Sequence, residues 1–281
     1  MTGAITPIVA GRTASGQDLC FDPVAGGHTL FTGRTRSGKS SLLYSLLVQL
    51  RGKPVKVCGA DPSGVLFSAL GEGLGGSDLR VSTLRDPQRI ETVFNELVEL
   101  MDARISDLLS ARRDKFTDFS VSFPLVIVLV EELPGLLAGL EALDKASGAK
   151  SVDRVELKVR AALQRLALEG HKVGARLWLV SQRADATILG GVLRAQLTAK
   201  FSFAQDQAGL KMLHEDLTPE QIASAAQFLP GQGFAEIAGF LPLTLFRADY
   251  CSYDQLANFF DPSRVAASSN GAGRVESGNK T

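Results

Sequence analysis

The sequence predicts an α/β fold, a mainly parallel sheet flanked by helices on both faces, and three observations carry that expectation. Short apolar runs alternate with amphipathic helical runs along most of the chain, the pattern of strand-helix-strand units. One run, LVIVLV at 125–130, is apolar at every position, as a strand covered on both faces must be. A complete G-x-x-x-x-G-K-[ST] octapeptide, GRTRSGKS at 33–40, stands between an apolar run and a leucine-rich helical pattern, the strand-loop-helix order such a loop needs.

The elements follow in order. Strands are expected at 28–31, 55–57, 125–130, 177–180 and 200–203, and a helix at 41–50. A long helix opens with Asp86 as N-cap and Pro87 in its first turn, and its buried stripe is Ile90, Phe94, Leu97, Met101, Ile105 and Leu108. The segment 141–153 reads as a surface loop. Thr218-Pro-Glu-Gln221 is a helix start with the makings of a capping box, and Gly231-Gln-Gly233 interrupts before strand-like runs at 234–237 and 243–246. A short helix at 252–260 closes the folded part. From 261 to 281 hydrophobic periodicity is lost and Ser, Gly and Asn accumulate, so this tail is expected to be disordered.

Composition sets bounds. With 281 residues, 45% of them apolar, the chain can bury one sizeable core, as one large domain or two small ones. Lys plus Arg and Asp plus Glu both number 30, so contact with nucleic acid or an anionic membrane must be local rather than a global charge effect. Three scattered cysteines, Cys20, Cys58 and Cys251, include no C-x-x-C pair, which argues against a disulfide scaffold or a zinc site and fits a reducing cytosol. No signal-like leader is visible, and no apolar stretch approaches the ~20 residues that span a bilayer, so a membrane role would need another chain.

The octapeptide Gly33, Arg34, Thr35, Arg36, Ser37, Gly38, Lys39 and Ser40, continued by Ser41, makes a nucleotide site. Its glycines let successive backbone N–H groups close around phosphate oxygens, and the helix that follows points its positive dipole end at them. Lys39 would reach the outer phosphates and Ser40 would hold Mg²⁺. Hydrolysis also needs acids, and the strand 125–130 ends in Glu131-Glu132, at the strand edge where open α/β sheets bind ligands. Glu131 would bind Mg²⁺ through water and Glu132 would polarise the attacking water; the alternative is that both acids cap the next helix. The next strand ends in Ser181-Gln182-Arg183, where Gln182 could touch the terminal phosphate.

In this order, TGRTRSGKSS at 32–41, VIVLVEELPGLL at 126–137 and VGARLWLVSQRADATILGGVLRAQLTAKFSF at 173–203 resemble the FtsK/SpoIIIE branch of the FtsK–HerA superfamily, ring-forming RecA-like DNA motors. GRTASGQDLCFD at 11–22 looks like the family's opening hairpin and FLPGQGFAEI at 228–237 like its late G-x-G strand, so the resemblance spans roughly 11–260. It implies a RecA-like P-loop NTPase with a short N-terminal β hairpin: a motor domain over 1–260, with the hairpin in 1–27, then the tail. The cofactors implied are ATP and Mg²⁺, and the partners double-stranded DNA and further copies of the chain in a hexameric ring. The location implied is cytoplasmic, with another chain supplying an adaptor or membrane partner, as in reduced motors of mobile elements, conjugative plasmids and phages.

Two departures from the family pattern stand out. The first acid is Glu131 rather than Asp, and His171-Lys172 occupy the place where relatives often carry an arginine, which shifts the expected trans-acting arginine to Arg165. In similar motors the loop after the acidic strand and the segment after the sensor face the pore, which nominates Lys145, Lys150 and Arg154, and Arg194, as DNA contacts. The competing readings are a protein-export ATPase on the same fold and a nucleotide-dependent switch that hydrolyses little.

Overall fold

The computed structural model describes residues 4–183, 186–215, 217–261 and 263, so the expected tail falls almost wholly outside the described residues. The chain opens with β1 (Ile8–Thr13) and β2 (Asp18–Phe21), then β3 (Thr29–Thr32), α1 (Lys39–Gln49) and β4 (Val55–Asp61). Next come α2 (Val65–Leu70), β5 (Arg80–Ser82), α3 (Pro87–Ser110), β6 (Leu125–Val130), α4 (Leu133–Ala146) and α5 (Val155–Glu169). The last part holds β7 (Ala175–Ser181), α6 (Ala186–Gln196), β8 (Ala199–Phe203), α7 (Gln207–Leu213), α8 (Pro219–Ala225), β9 (Gln232–Ile237), β10 (Leu241–Ala248) and α9 (Tyr253–Phe260).

All ten strands join one sheet in the order β2-β1-β10-β9-β8-β3-β7-β6-β4-β5. From β8 to β5 every pairing is parallel, while β9, β10, β1 and β2 form an antiparallel wing. The opening hairpin therefore does not stand apart: β1 pairs with β10, Gly11 opposite Ala248, and extends the sheet. Gly11 permits this pairing, because a Cβ there would stand 2.1 Å from the Arg247 carbonyl oxygen.

β6 shows why the fold is doubly covered. Val126, Val128 and Val130 face one core with α3, α4 and α5, whereas Leu125, Ile127 and Leu129 face a second core that holds α1, α2 and α9, and all six are buried. The expected caps are present: Asp86 accepts from Arg89 N at 2.9 Å with Pro87 behind it, and Thr218 and Ser252 each close a capping box with the glutamine three residues on.

One expectation is corrected. The segment 141–153 is not all loop: α4 continues to Ala146 because Leu133, Leu136, Leu137 and Leu140 bury a helical stripe and Asp144 buries with them. Asp144 Oδ1 and Oδ2 accept from Val155 N and Glu156 N, each at 3.0 Å, so α4 supplies the cap for α5. The chain turns between the two at Ser147-Gly148, where Gly148 takes a φ of 68°.

Candidate active site

The parallel strands deliver their C-terminal ends to one edge. There β3 passes into the phosphate loop, β4 ends at Asp61, β6 runs into Glu131-Glu132 and β7 ends at Ser181-Gln182. The loop is tightly built. A Cβ on Gly33 would stand 2.6 Å from the Ser37 hydroxyl and 2.7 Å from Phe203 Cβ, and one on Gly38 would stand 2.7 Å from Gly231 N. Gly38 is also the N-cap of α1, left-handed at φ 115°, and no side chain caps the first-turn amides there, so they remain directed at the loop. Lys39 is buried, and its Nζ donates to the carbonyls of Gly33 and, at 3.1 Å, Arg34. Arg34, Thr35, Arg36 and Ser40 are exposed around this curl.

Two cavities flank the loop. One of about 440 Å³ is lined by 36–41 on one side and by Pro230, Gly231 and the stretch 247–250 on the other. The second, about 550 Å³, lies among Arg34, Thr35, Gln182, Arg183, Gln205 and Asp206. The far wall of the first depends on the antiparallel wing: Gly231 N donates to Ser37 O at 2.8 Å, and Ala248 N to Gly231 O at 2.8 Å. Ser41 Oγ binds both the Cys251 amide and its carbonyl, pinning that wall to α1. Glycine-bounded amides, a lysine and a cavity of this size fit a nucleoside triphosphate.

The acid pair has divided roles. Glu132 occupies a left-handed conformation at φ 56° at the strand-to-helix turn, costly for a non-glycine residue, and makes no side-chain cap for α4, so helix capping is not its role. Gly135 leaves it room, since a Cβ there would stand 3.2 Å from Glu132 Cγ. The turn carries its carboxylate across to the neighbouring strand, where Gln182 Nε2 donates to it at 3.4 Å. Glu131, like Glu132, is half-buried. Burial, then Asp61 and Glu132, push its carboxyl up to about 7, while Lys39 pulls the other way. Burial lowers the Lys39 ammonium, opposed by Glu132 and Glu131.

Asp61, which the sequence reading did not single out, is fully buried at the end of β4. Its carboxylate accepts from Ser63 N, Ser63 Oγ, Leu66 N and Phe67 N, so it caps α2 while standing close enough to raise Glu131. The Asp-Pro at the end of an apolar run was its only signal. Tyr44, one turn beyond Ser40 on α1, is pushed up by burial and by Glu131 and Asp61, against a contact with the Ser40 hydroxyl. No cluster of three or more His, Cys, Asp or Glu suited to a metal occurs among the described residues. Ser40 and Glu131 are the oxygen donors that would hold Mg²⁺, an ion that takes one or two protein ligands and draws the rest from phosphates and water.

The other nominated residues lie further out. Parallel α3 and α5 are tied by Lys158 to Glu91 at 2.7 Å and by Arg165 to Asp102 at 2.7 Å. Since α5 ends just before β7 begins, Arg165 lies about 15 Å along the helix from its phosphate-loop end. Its guanidinium also meets Glu169 at 3.2 Å. Lys145 pairs with Glu141 at 2.6 Å on the exposed side of α4, whereas Lys150 and Arg154 are exposed, make no salt bridge among the described residues, and flank the start of α5 on the phosphate-loop edge. Arg194 is half-buried in a groove of about 400 Å³ beside Lys200, Glu215 and Glu236.

The FtsK/SpoIIIE family profile matches residues 4–186, more than half of the chain. The chain belongs to the FtsK/SpoIIIE family. Curated relatives of this FtsK/SpoIIIE-family ATPase include the DNA translocase FtsK of Borreliella burgdorferi, 25% identical over 70% of this chain and 24% of the relative. The DNA translocase FtsK of Streptococcus agalactiae is 22% identical over 94% of this chain and 34% of the relative. The chain thus spans about a third or less of the relatives it matches. Among solved structures, the pCW3 conjugation coupling protein TcpA with ATPγS superposes at a TM-score of 0.71, 19% identical, over 94% of this chain and 71% of that one. The cytoplasmic domain of the Thermomonospora curvata type VII secretion ATPase EccC gives 0.65 at 18% identity, over 92% and 31%. These superpositions establish the RecA-like ATPase fold. No helix among the described residues is long and apolar enough to cross a membrane.

Proposed function

We propose that this chain is an ATP-driven double-stranded DNA translocase that hydrolyses ATP at the subunit boundaries of a homo-oligomeric, hexameric ring, in the cytoplasm, in conjugative transfer, segregation or a phage or mobile-element process. The observation that carries the reading is the meeting of Glu132 with Gln182 beside the Lys39 loop, because a site built only to bind would not need a carboxylate and an amide joined at the strand edge. Lys39 and the loop amides hold the phosphates, Glu132 orients and polarises the attacking water, and Gln182 links that carboxylate to the terminal phosphate. When bound, Mg²⁺ neutralises developing charge, with Ser40 and Glu131 as its protein ligands. Arg165 is the candidate for the arginine reaching a neighbouring subunit, which requires it to leave Asp102.

DNA is favoured over an exported protein because Lys150, Arg154 and Arg194 make no salt bridge among the described residues, and phosphate contacts of this kind give affinity without sequence readout. The test is ATP turnover with and without linear duplex, for wild type and Lys39→Ala. Several-fold stimulation by duplex and a dead variant are expected. Stimulation by a secretion-signal peptide instead would move the chain to protein export, and turnover by Lys39→Ala would end the reading.

A further inference from the structure

Between β10 and α9 the chain arches past the first turn of α1, and its backbone is held at both ends. Ala248 N donates to Gly231 O at 2.8 Å and Gly231 N to Ser37 O at 2.8 Å, so one end is braced against the phosphate loop. Asp249 N donates to Ala10 O on β1 at 3.3 Å. At the other end Ser41 Oγ accepts from Cys251 N at 2.8 Å and donates to Cys251 O at 3.0 Å, which spends its single proton on the arch. Asp249 and Tyr250 stand between these anchors. Both are exposed, Tyr250 by 79%, and both line the cavity of about 440 Å³ that also opens onto Ser40. Neither side chain makes a hydrogen bond, ion pair or ring contact among the described residues, so the fold fixes their backbone without using what they carry.

The direction of a bound nucleotide follows from what stands on either side of the loop. Gln182, which donates to Glu132 at 3.4 Å, lines the second cavity with Arg34 and Thr35, so the terminal phosphate belongs on that side. The phosphates then run over Gly38 and Lys39, and the nucleoside emerges between 36–41 and 247–250. A single exposed aromatic ring is ordinary on a protein surface; this one stands in the wall of the cavity where the nucleoside must lie. That wall offers the two surfaces a nucleoside needs: an accessible ring on which a base stacks, and a carboxylate that accepts from two adjacent ribose hydroxyls. Their order along the arch matches the ligand, with Ala248 at the loop, Asp249 next and Tyr250 beyond it. Arg36 and Arg247 line the same cavity, exposed and without a salt bridge among the described residues, and offset the repulsion between Asp249 and the phosphates.

Resting on the ATPase reading, we propose that the arch 248–251 is the nucleoside wall of the site: Tyr250 stacks on the base, and the Asp249 carboxylate accepts from the ribose 2′- and 3′-hydroxyls. The ligand class is therefore a ribonucleoside triphosphate, whose sugar is read by Asp249 and not by the phosphate loop. Ser41 is a positioning residue, since its hydroxyl holds Cys251 and so sets where both side chains stand.

Two measurements test this. Calorimetric titrations compare ATPγS with inorganic tripolyphosphate, which has the phosphates and no nucleoside. Tyr250→Ala should weaken ATPγS about tenfold and tripolyphosphate by less than about twofold, while Tyr250→Phe binds both as the wild type does. In steady-state ATPase assays the wild type should show a KM for 2′-deoxyATP about tenfold above that for ATP, and Asp249→Ala should erase the difference, chiefly by raising the KM for ATP. Both side chains are exposed, so the variants should melt with the wild type. Unchanged ATPγS affinity in Tyr250→Ala, equal losses for the two ligands, a wild type indifferent to the 2′-hydroxyl, or a ribose preference that survives in Asp249→Ala would overturn the proposal. Each of those results leaves wild-type binding and turnover, and with them the ATPase reading, standing. A wild type that binds neither ATPγS nor tripolyphosphate would remove both.

Discussion

Glu131→Gln should make the nucleotide-free protein more stable at pH 8 and much less so at pH 5, near the lower end of the titration window. The carboxyl stands at about 7 in the fold against 4.5 for the free group, raised by burial, Asp61 and Glu132. Between those values the folded protein holds a proton that the unfolded chain has released. Stability therefore falls as pH rises through the window, and the full penalty stands above it. The rise from 4.5 to about 7 corresponds to about 3.4 kcal/mol, at about 1.36 kcal/mol for each tenfold change in the proton equilibrium. The carboxylate is partly open to water and counterions, and screening leaves about 1–2 kcal/mol. For a chain of this size that is a rise in Tm of about 2–4 °C. The amide keeps the shape of the acid and removes the charge, so thermal unfolding in EDTA at the two pH values isolates the effect. A variant that is less stable at pH 8, or that gains equally at pH 5, would show that Glu131 carries no such penalty. With Mg²⁺ and ATP the order should reverse, because the wild type then gains the stabilisation the variant cannot.

Other outcomes follow from the same geometry. Asp144→Ala strips the cap from two amides of α5 and should cost about 2 kcal/mol, a Tm lower by about 4 °C; an unchanged Tm would mean that water replaces the carboxylate without loss. Arg165→Ala breaks only exposed ion pairs, worth at most about 1 kcal/mol, so its stability should stay near wild type. If Arg165 serves a neighbouring subunit, kcat should still fall about 10³-fold, and a drop under about threefold removes it from the active site. Replacing Lys145, Lys150 and Arg154 together by alanine should abolish duplex stimulation and spare basal turnover, whereas Lys145→Ala alone, already tied to Glu141, should change little; stimulation by the triple variant equal to wild type would clear that edge of a DNA role.

What could be read from the sequence was whatever is written locally. The phosphate loop, the all-apolar strand ending in Glu131-Glu132 and the strand ending at Gln182 are contiguous strings whose geometry follows from strand direction, and the structure brings all three to one edge. The caps at Asp86, Thr218 and Ser252 are likewise local. Asp61 escaped because the Cys58-Gly59 interruption ended the apolar run early, although the strand continues through it. The far wall of the nucleotide cavity, Gly231 and 247–250, escaped because only the antiparallel wing, paired over long range, places it against the loop.

The brace between Gly231 and Ser37 also has a bearing on synthesis. The loop is made early, but the amide that props it and the wall that faces it are made only after β8. A nascent chain paused between β8 and β10 would already carry every motif residue yet lack a finished seat for triphosphate. Until β9 and β10 join the sheet the nucleotide cavity has a single wall, so the capacity to hold triphosphate waits on that long-range pairing.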